Sequence, residues 1–274
     1  MIKFFRHIRQ RMLSENKFSK YLLYAIGEIL LVVIGILIAL QINNWKEEQA
    51  ERREETAILH QLHTEFTSNL KQLDEKIEVK MDLIEAVKKL FQQIDHPSLR
   101  QKDSVDRLLG LTIPYSTFDP IVSDLASSGS LRLIRSDSLK LLLSLWTSDV
   151  ISVQEDDLGW KKIRNELYTP FLIEHYQLRT IRQVAIESGL IKNYLIEAGN
   201  QQTEVLDESI GLSRHKADIN VLLDHPNFED LLERAISTNR FALSQSLILR
   251  KRILEIMALL EWELQINQHK NHQP

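Results

Sequence analysis

The sequence has no cysteine among its 274 residues. This absence excludes disulfide bonds and thiolate metal sites, and it leaves the cellular compartment open. Helix breakers are also scarce, with only 8 glycines and 6 prolines. Leucine, isoleucine, glutamate, lysine, arginine and glutamine predominate instead, so we expect a mostly helical protein.

The sequence also lacks motifs that indicate catalysis. It has no glycine-rich phosphate loop, and Ser127-Ser-Gly-Ser130 lacks the strand–turn–helix context of a catalytic serine, so we interpret it as a helix C-cap and turn. His60 and His63 lie three residues apart, but neither follows a glutamate by three positions, as a di-iron bundle requires. The net charge of −4 does not indicate nucleic-acid binding. We therefore predict a protein that is not an enzyme, with no cofactor, no metal and no nucleic-acid partner.

A long apolar run extends from Tyr21 to Leu40 and contains one charged residue, Glu28. A hydrocarbon core of about 30 Å needs about 20 helical residues, which is the length of this run. A buried core helix and a cleaved signal peptide are the alternatives. The run is too apolar for the first and is not followed by a small-residue cleavage site, as the second requires. We predict an uncleaved transmembrane anchor over residues 18–44 and a lipid bilayer as partner.

The charges on the two sides of this run predict its direction. Six cations precede the run, whereas three cations and five glutamates follow it up to residue 60. Basic flanks stay in the cytoplasm, so we expect a cytoplasmic N-terminus and a periplasmic C-terminal domain. Residues 1–17 form either a basic amphipathic helix on the inner leaflet or a disordered leader that only sets topology.

Four residues mark one stripe of the predicted anchor: Tyr24, Glu28, Gly35 and Ala39. A carboxylate inside a membrane is costly unless it is neutralised or paired, and small residues four apart let two helices approach closely. We interpret the stripe as a helix–helix contact in which protonated Glu28 bonds across the interface. The alternatives are a proton or ion path through Glu28, and a simple anchor whose Glu28 meets a headgroup or a partner protein.

Apolar residues recur every three or four positions from Leu59 to Ile94, with a mean spacing of about 3.5, which is typical of a coiled coil. No proline or glycine interrupts residues 44–95, so this helix is expected to continue from the anchor. Residues 45–56 lack an apolar face and are interpreted as a charged, solvated neck.

Further helices are expected in residues 57–267, with a polar tail at 268–274. Their bounds follow from caps and prolines. They are a helix end at Asp95, a short helix from Asp103 or Ser104 to Leu111, a helix from Asp119-Pro120 to Gly129, a short extended segment at 130–134, a helix from Ser136 or Asp137 to about Tyr168 that Pro170 breaks, short helices at 181–188 and 190–197, and a last helix at 227–267. The core face of this last helix is predicted to comprise Leu231, Leu232, Ala235, Ile236, Phe241, Leu247, Ile248, Leu249, Ile253, Ile256, Leu259, Leu260 and Trp262.

These elements predict an all-α protein, with a single N-terminal transmembrane helix followed by an elongated helical bundle. Two stretches, Phe18 to Trp45 and Thr117 to Ile134, resemble an uncharacterised family of single-span membrane proteins of Bacteroidota, common in flavobacteria, that carries a domain-of-unknown-function label. The resemblance implies a Gram-negative host and an inner-membrane location, and it implies no activity.

The sequence therefore predicts a membrane-anchored periplasmic protein that acts as a non-enzymatic scaffold or regulatory interaction partner, either as a homo-oligomer or with another membrane protein. A ligand-sensing ectodomain that works with a partner is one alternative, although its small-molecule ligand is unknown. An oligomeric proton- or ion-coupled component that uses Glu28 is the other.

Overall fold

The computed structural model describes residues 18–121, 130–188 and 208–271. Helices dominate these residues and no strand occurs among them, so the prediction of an all-α protein is confirmed. The helices are α1 (Phe18–Asp95), α2 (Lys102–Thr112), α3 (Asp137–Ile163), α4 (Thr169–His175), α5 (Leu178–Glu187), α6 (Ile219–Leu223) and α7 (Pro226–Asn271). A π-helical turn, Arg164–Tyr168, joins α3 to α4.

Several predicted boundaries are confirmed. Helix α1 runs without interruption for 78 residues and ends at Asp95, two positions before Pro97. Helix α3 begins at Asp137 and follows Ser136 at its N-cap. Helix α7 begins at Pro226, since a proline at the first helical position has no amide hydrogen to satisfy there.

Four local predictions were wrong. No helix begins at Asp119-Pro120, because side chains of α1 bond the backbone of this stretch as a loop. Ser130–Leu133 forms a 3-10 turn and is not extended. The N-cap of α2 is Gln101, so Asp103 lies inside its first turn. The chain also stays helical through Pro170, because the π-helical turn places this proline in the first turn of α4, where no amide donor is required.

Other predictions concern residues outside the described ranges. They are the basic leader at 1–17, residues 122–129 of the helix expected up to Gly129, the short helix at 190–197 and the last residues of the tail.

Contacts divide the chain into two compact units, Met1–Ala57 and Ile58–Pro274. In the first unit, the large apolar side chains from Leu22 to Ile42 are exposed. By length and composition, α1 from Leu22 onward is able to cross a membrane, and it is the one such helix among the described residues.

The second unit contains a three-helix core. Helices α1 and α3 run parallel, since Phe66 packs on Trp146 with 4.9 Å between ring centroids and Lys80 pairs with Asp157 further along. Helix α7 runs antiparallel to both. The buried apolar residues of this core include Leu59, Leu62, Phe66, Leu73, Leu139, Trp146, Val150, Leu249, Ile253 and Leu260.

A second cluster of buried residues joins the end of α1 to the shorter helices. Leu83, Val87 and Leu90 of α1 pack with residues of α2, α4, α5, α6 and the start of α7. Near this cluster, Arg100 donates to the carbonyl of Gln93 at 2.9 Å and pairs with Asp224 at 2.6 Å. Arg100 therefore caps the last turn of α1 and ties it to the loop before α7.

Candidate interaction surface

Helix α7 carries a row of large apolar side chains that point away from the core. We call this row the outer face of α7. Phe241, Ile248 and Trp262 expose 60%, 62% and 60% of their surface and form this face; Leu247 and Leu254 are also exposed, but they lie about 100° further round the helix. Phe241, Ile248 and Trp262 are separated by 7 and 14 residues, so they lie along one stripe of the helix. The outer face is therefore a second apolar stripe, distinct from the one that packs in the core.

Phe241, Leu247, Ile248 and Trp262 were predicted to lie in the core, and this prediction was wrong because all four are exposed. The buried side of α7 comprises Ala242, Leu249, Ile253, Ile256, Leu260 and Leu264. Helices α1 and α3 cover only this side, although the apolar pattern extends around more of the helix. Seven-residue spacing could not have separated the two stripes, because buried Ala242, Leu249 and Ile256 share it.

Two residues of α3 extend the outer face. Arg252 of α7 lies 3.8 Å from Asp149 of α3, which sets the two helices side by side. Because α7 runs antiparallel to α3, Leu145, one turn before Asp149, lies beside α7 about one turn after Arg252, near Glu255. Leu145 and Leu141 are both exposed, so they border the outer face across the α3–α7 contact.

The outer face is large enough to be functional. Phe241, Ile248 and Trp262, with Leu141 and Leu145 of α3, together expose on the order of 500 Å². The largest apolar patch on a typical monomeric protein covers about 300–600 Å² and is often functional. Two charged residues of opposite sign lie within the stripe, Lys251 and Glu255, whose side chains are 3.8 Å apart.

A second feature is the loop that follows Thr117, which lies on the three-helix core. We call residues 118–121 the clamped segment, because side chains of α1 and α3 bond its backbone. Asn69 accepts from the amide of Ile121 at 2.8 Å and donates to its carbonyl at 2.9 Å. On the α3 side, Asp157 accepts from the amide of Phe118 at 3.0 Å, and Gln154 donates to its carbonyl at 2.9 Å. These hydrogen bonds therefore hold the clamped segment, which is a loop, against the core.

Asp157 is buried, and its charge is compensated within the core. Lys80 Nζ lies 2.8 Å from Asp157 Oδ1, and both side chains are at most 3% exposed. Neither of these two atoms has another hydrogen-bond partner among the described residues. Burial raises the pKa of the Asp157 carboxyl above its usual value, and Lys80 and the Phe118 amide oppose this shift only in part.

Two buried tyrosines bond their neighbours through their hydroxyl groups. Tyr176 donates to Asp106 at 2.6 Å, and the Tyr168 hydroxyl lies 2.6 Å from that of Thr112. Burial raises the pKa of both tyrosines, and for Tyr176 the Asp106 carboxylate adds to the rise. Each tyrosine is therefore held neutral as a structural hydrogen-bonding group.

The predicted contact residues of the anchor lie on α1. Tyr24 and Glu28 are exposed, and so are Gly35 and Ala39. A Cβ atom built on Gly35 would meet nothing within 4 Å, so a neighbouring helix has room to approach there. Of the two histidines, His63 lies 3.5 Å from Glu261 of α7. The described residues contain no group of three or more side chains placed to hold a metal ion.

Comparison with known proteins gives one match. Residues 28–142 match a family described as "Family of unknown function (DUF6090)". The matching region includes Glu28 and the clamped segment, and it ends before α7. Neither the search of curated proteins nor the search of solved structures gave a match.

Proposed function

We propose that this chain is a single-span membrane protein whose periplasmic helical bundle acts by association, as a non-enzymatic scaffold. The outer face of α7 is the observation that carries the proposal. An apolar surface of on the order of 500 Å² is costly to leave in water, and it is more than half of the ~800 Å² that each partner buries in a typical interface.

The partner that fits the outer face best is a second copy of this chain. A twofold axis that crosses α7 at Ile253 brings Lys251 of one copy opposite Glu255 of the other, and the same pair forms again by symmetry. Trp262 of one copy then lies within one helical turn of Phe241 of the other, and Ile248 faces Ala258. Lys251 and Glu255 therefore suffice to form complementary ion pairs between two identical copies, and no other charged residue is needed.

Charge reversal tests this pairing. Lys251→Glu places two glutamates opposite each other twice in the dimer, so we expect it to weaken self-association by about tenfold or more. The double variant Lys251→Glu/Glu255→Lys restores the pairing and should return to within about threefold of the wild type. Sedimentation equilibrium of the full chain in detergent micelles measures both constants. Equal weakening by the single and double variants would contradict the pairing.

The anchor supports the same association from within the membrane. Tyr24, Glu28, Gly35 and Ala39 share one side of α1, and the space around Gly35 suits close approach of a second helix. A protonated Glu28 that bonds a second copy would add an interhelical hydrogen bond, worth about 1 kcal/mol in a membrane. We infer that the span and the outer face both take part in assembly.

The orientation of the chain in the membrane is the other part of the proposal. Single introduced cysteines can test it, because the sequence contains no cysteine. Single cysteines replace Ser14 in the leader and Ser148, which is exposed on α3. In spheroplasts of a Gram-negative expression host, we expect a membrane-impermeant maleimide to label Ser148→Cys at once and Ser14→Cys only after lysis. The reverse order would place the bundle in the cytoplasm and contradict the location.

A further inference from the structure

A cavity of about 250 Å³ lies in the second unit, between the end of α2, α4 and α5. Ile113, Leu178, Ile181 and Ala185 supply its apolar wall. Thr169 and Arg182 supply the polar side chains of its lining. Arg182 is exposed, so its guanidinium stands at the mouth of the cavity. An apolar pocket with a few convergent polar groups is the usual form of a small-molecule site.

Arg182, at the mouth of the cavity, differs from its neighbouring arginines in its bonding. Two neighbouring arginines bond the backbone: Arg164 donates to the carbonyl of Ile113 at 3.1 Å, and Arg179 donates to that of Ile210 at 2.8 Å. The side chain of Arg182, in contrast, makes no hydrogen bond or ion pair within the described ranges. No carboxylate lies among the described residues that line the cavity.

Charge and size together define the ligand. A guanidinium presents paired donors that match a carboxylate, and the adjoining apolar wall strengthens that contact by excluding water. A cavity of ~150 Å³ holds benzene, so one of 250 Å³ holds about ten non-hydrogen atoms. This volume suits one short chain or one ring, and it is too small for a two-chain lipid.

We propose that this cavity binds a small amphiphile with one anionic group, whose apolar part fills the cavity while its carboxylate pairs with Arg182. Octanoate has the required size and charge and serves as the probe. The full chain in lipid nanodiscs is dialysed against labelled octanoate, and binding to empty nanodiscs is subtracted. We expect saturable binding at one site per chain with a Kd near 1 mM, roughly what a ligand of this size reaches.

Filling the cavity tests its location. Ala185→Leu adds three carbon atoms to the apolar wall, so we expect octanoate binding to fall more than tenfold while the melting temperature stays equal or rises. The matched control is Ala258→Leu, which makes the same change at an exposed position of α7 and should leave binding unchanged. Undiminished binding by Ala185→Leu, or no saturable binding by the wild type, would overturn the proposal.

Removing the charge tests the class of ligand, and it does so at an exposed residue that the fold does not need. Arg182→Gln should weaken octanoate binding about fivefold and leave the binding of neutral octanol unchanged. Because the cavity itself is intact in this variant, the result stands even where Ala185→Leu fails to fold. Equal effects on octanoate and octanol, or no effect on either, would show that Arg182 does not select an anion.

Discussion

The clamped segment shows how single polar residues hold this fold together. A loop that lies on the core must satisfy its backbone groups without a neighbouring strand. Asn69 and Gln72 of α1, with Gln154 and Asp157 of α3, provide those bonds. Bringing the Asp157 carboxylate into the core then requires a buried cation, which Lys80 supplies.

Removing the Lys80 cation should lower the free energy of unfolding. We expect Lys80→Met to cost about 3 kcal/mol at neutral pH, since it leaves the Asp157 carboxylate buried and unpaired. The double variant Lys80→Met/Asp157→Asn keeps an acceptor for the Phe118 amide without a charge, so it should recover most of the loss. Urea unfolding of the full chain in nanodiscs, followed by fluorescence of buried Trp146 and Trp160, measures both values. A double variant as unstable as the single one would contradict this account.

The same variant should show a defined pH dependence. Without Lys80, burial raises the pKa of folded Asp157 further above the value of about 3.9 in the unfolded chain. The folded variant then binds a proton that the unfolded chain releases, so its stability falls as the pH rises through the folded pKa. The cost of Lys80→Met should therefore shrink as the pH is lowered towards 4. If the cost of Lys80→Met grew as the pH was lowered, this account of Asp157 would be contradicted.

At the scale of elements, α7 shows what periodicity can and cannot predict. Its apolar pattern indicated a long helix near residues 227–267, and the helix spans Pro226–Asn271. The same pattern could not tell which apolar stripe would be buried, because that depends on where α1 and α3 pack. The π-helical turn before Pro170 was missed for a similar reason, since proline is tolerated once the helical register shifts.

Leu249 and Ile248 are adjacent in sequence but lie on the buried side and the outer face of α7, respectively. Leu249 is 2% exposed and Ile248 is 62% exposed, so we expect Leu249→Ala to cost about 2–4 kcal/mol and Ile248→Ala to cost less than about 0.5 kcal/mol. The unfolding free energy of the monomeric full chain at low concentration in detergent measures this difference. Similar costs for both variants would mean that the outer face is covered within one chain.

At the scale of the whole molecule, sequence reasoning predicted the helical class and the apolar segment, because both depend on local composition. The cavity had no sequence signal, since Ile113, Thr169 and Arg182 come from separate elements that only the fold brings together. The apolar residues of the outer face were visible in the sequence, but their seven-residue spacing is the same as that of the buried side. The contact role of Glu28 and Gly35 stays a prediction, because it concerns a second chain.

The central claim is that identical chains associate through the outer face of α7. The mass of the full chain in detergent micelles, measured by light scattering over a hundredfold range of concentration, tests it most directly. We predict a dimer or larger assembly for the wild type and a folded species of lower mass for Phe241→Gln/Trp262→Gln. Its helicity should be unchanged, because both side chains are exposed. A wild-type monomer at every concentration, or an assembly that the double variant leaves intact, would contradict the claim.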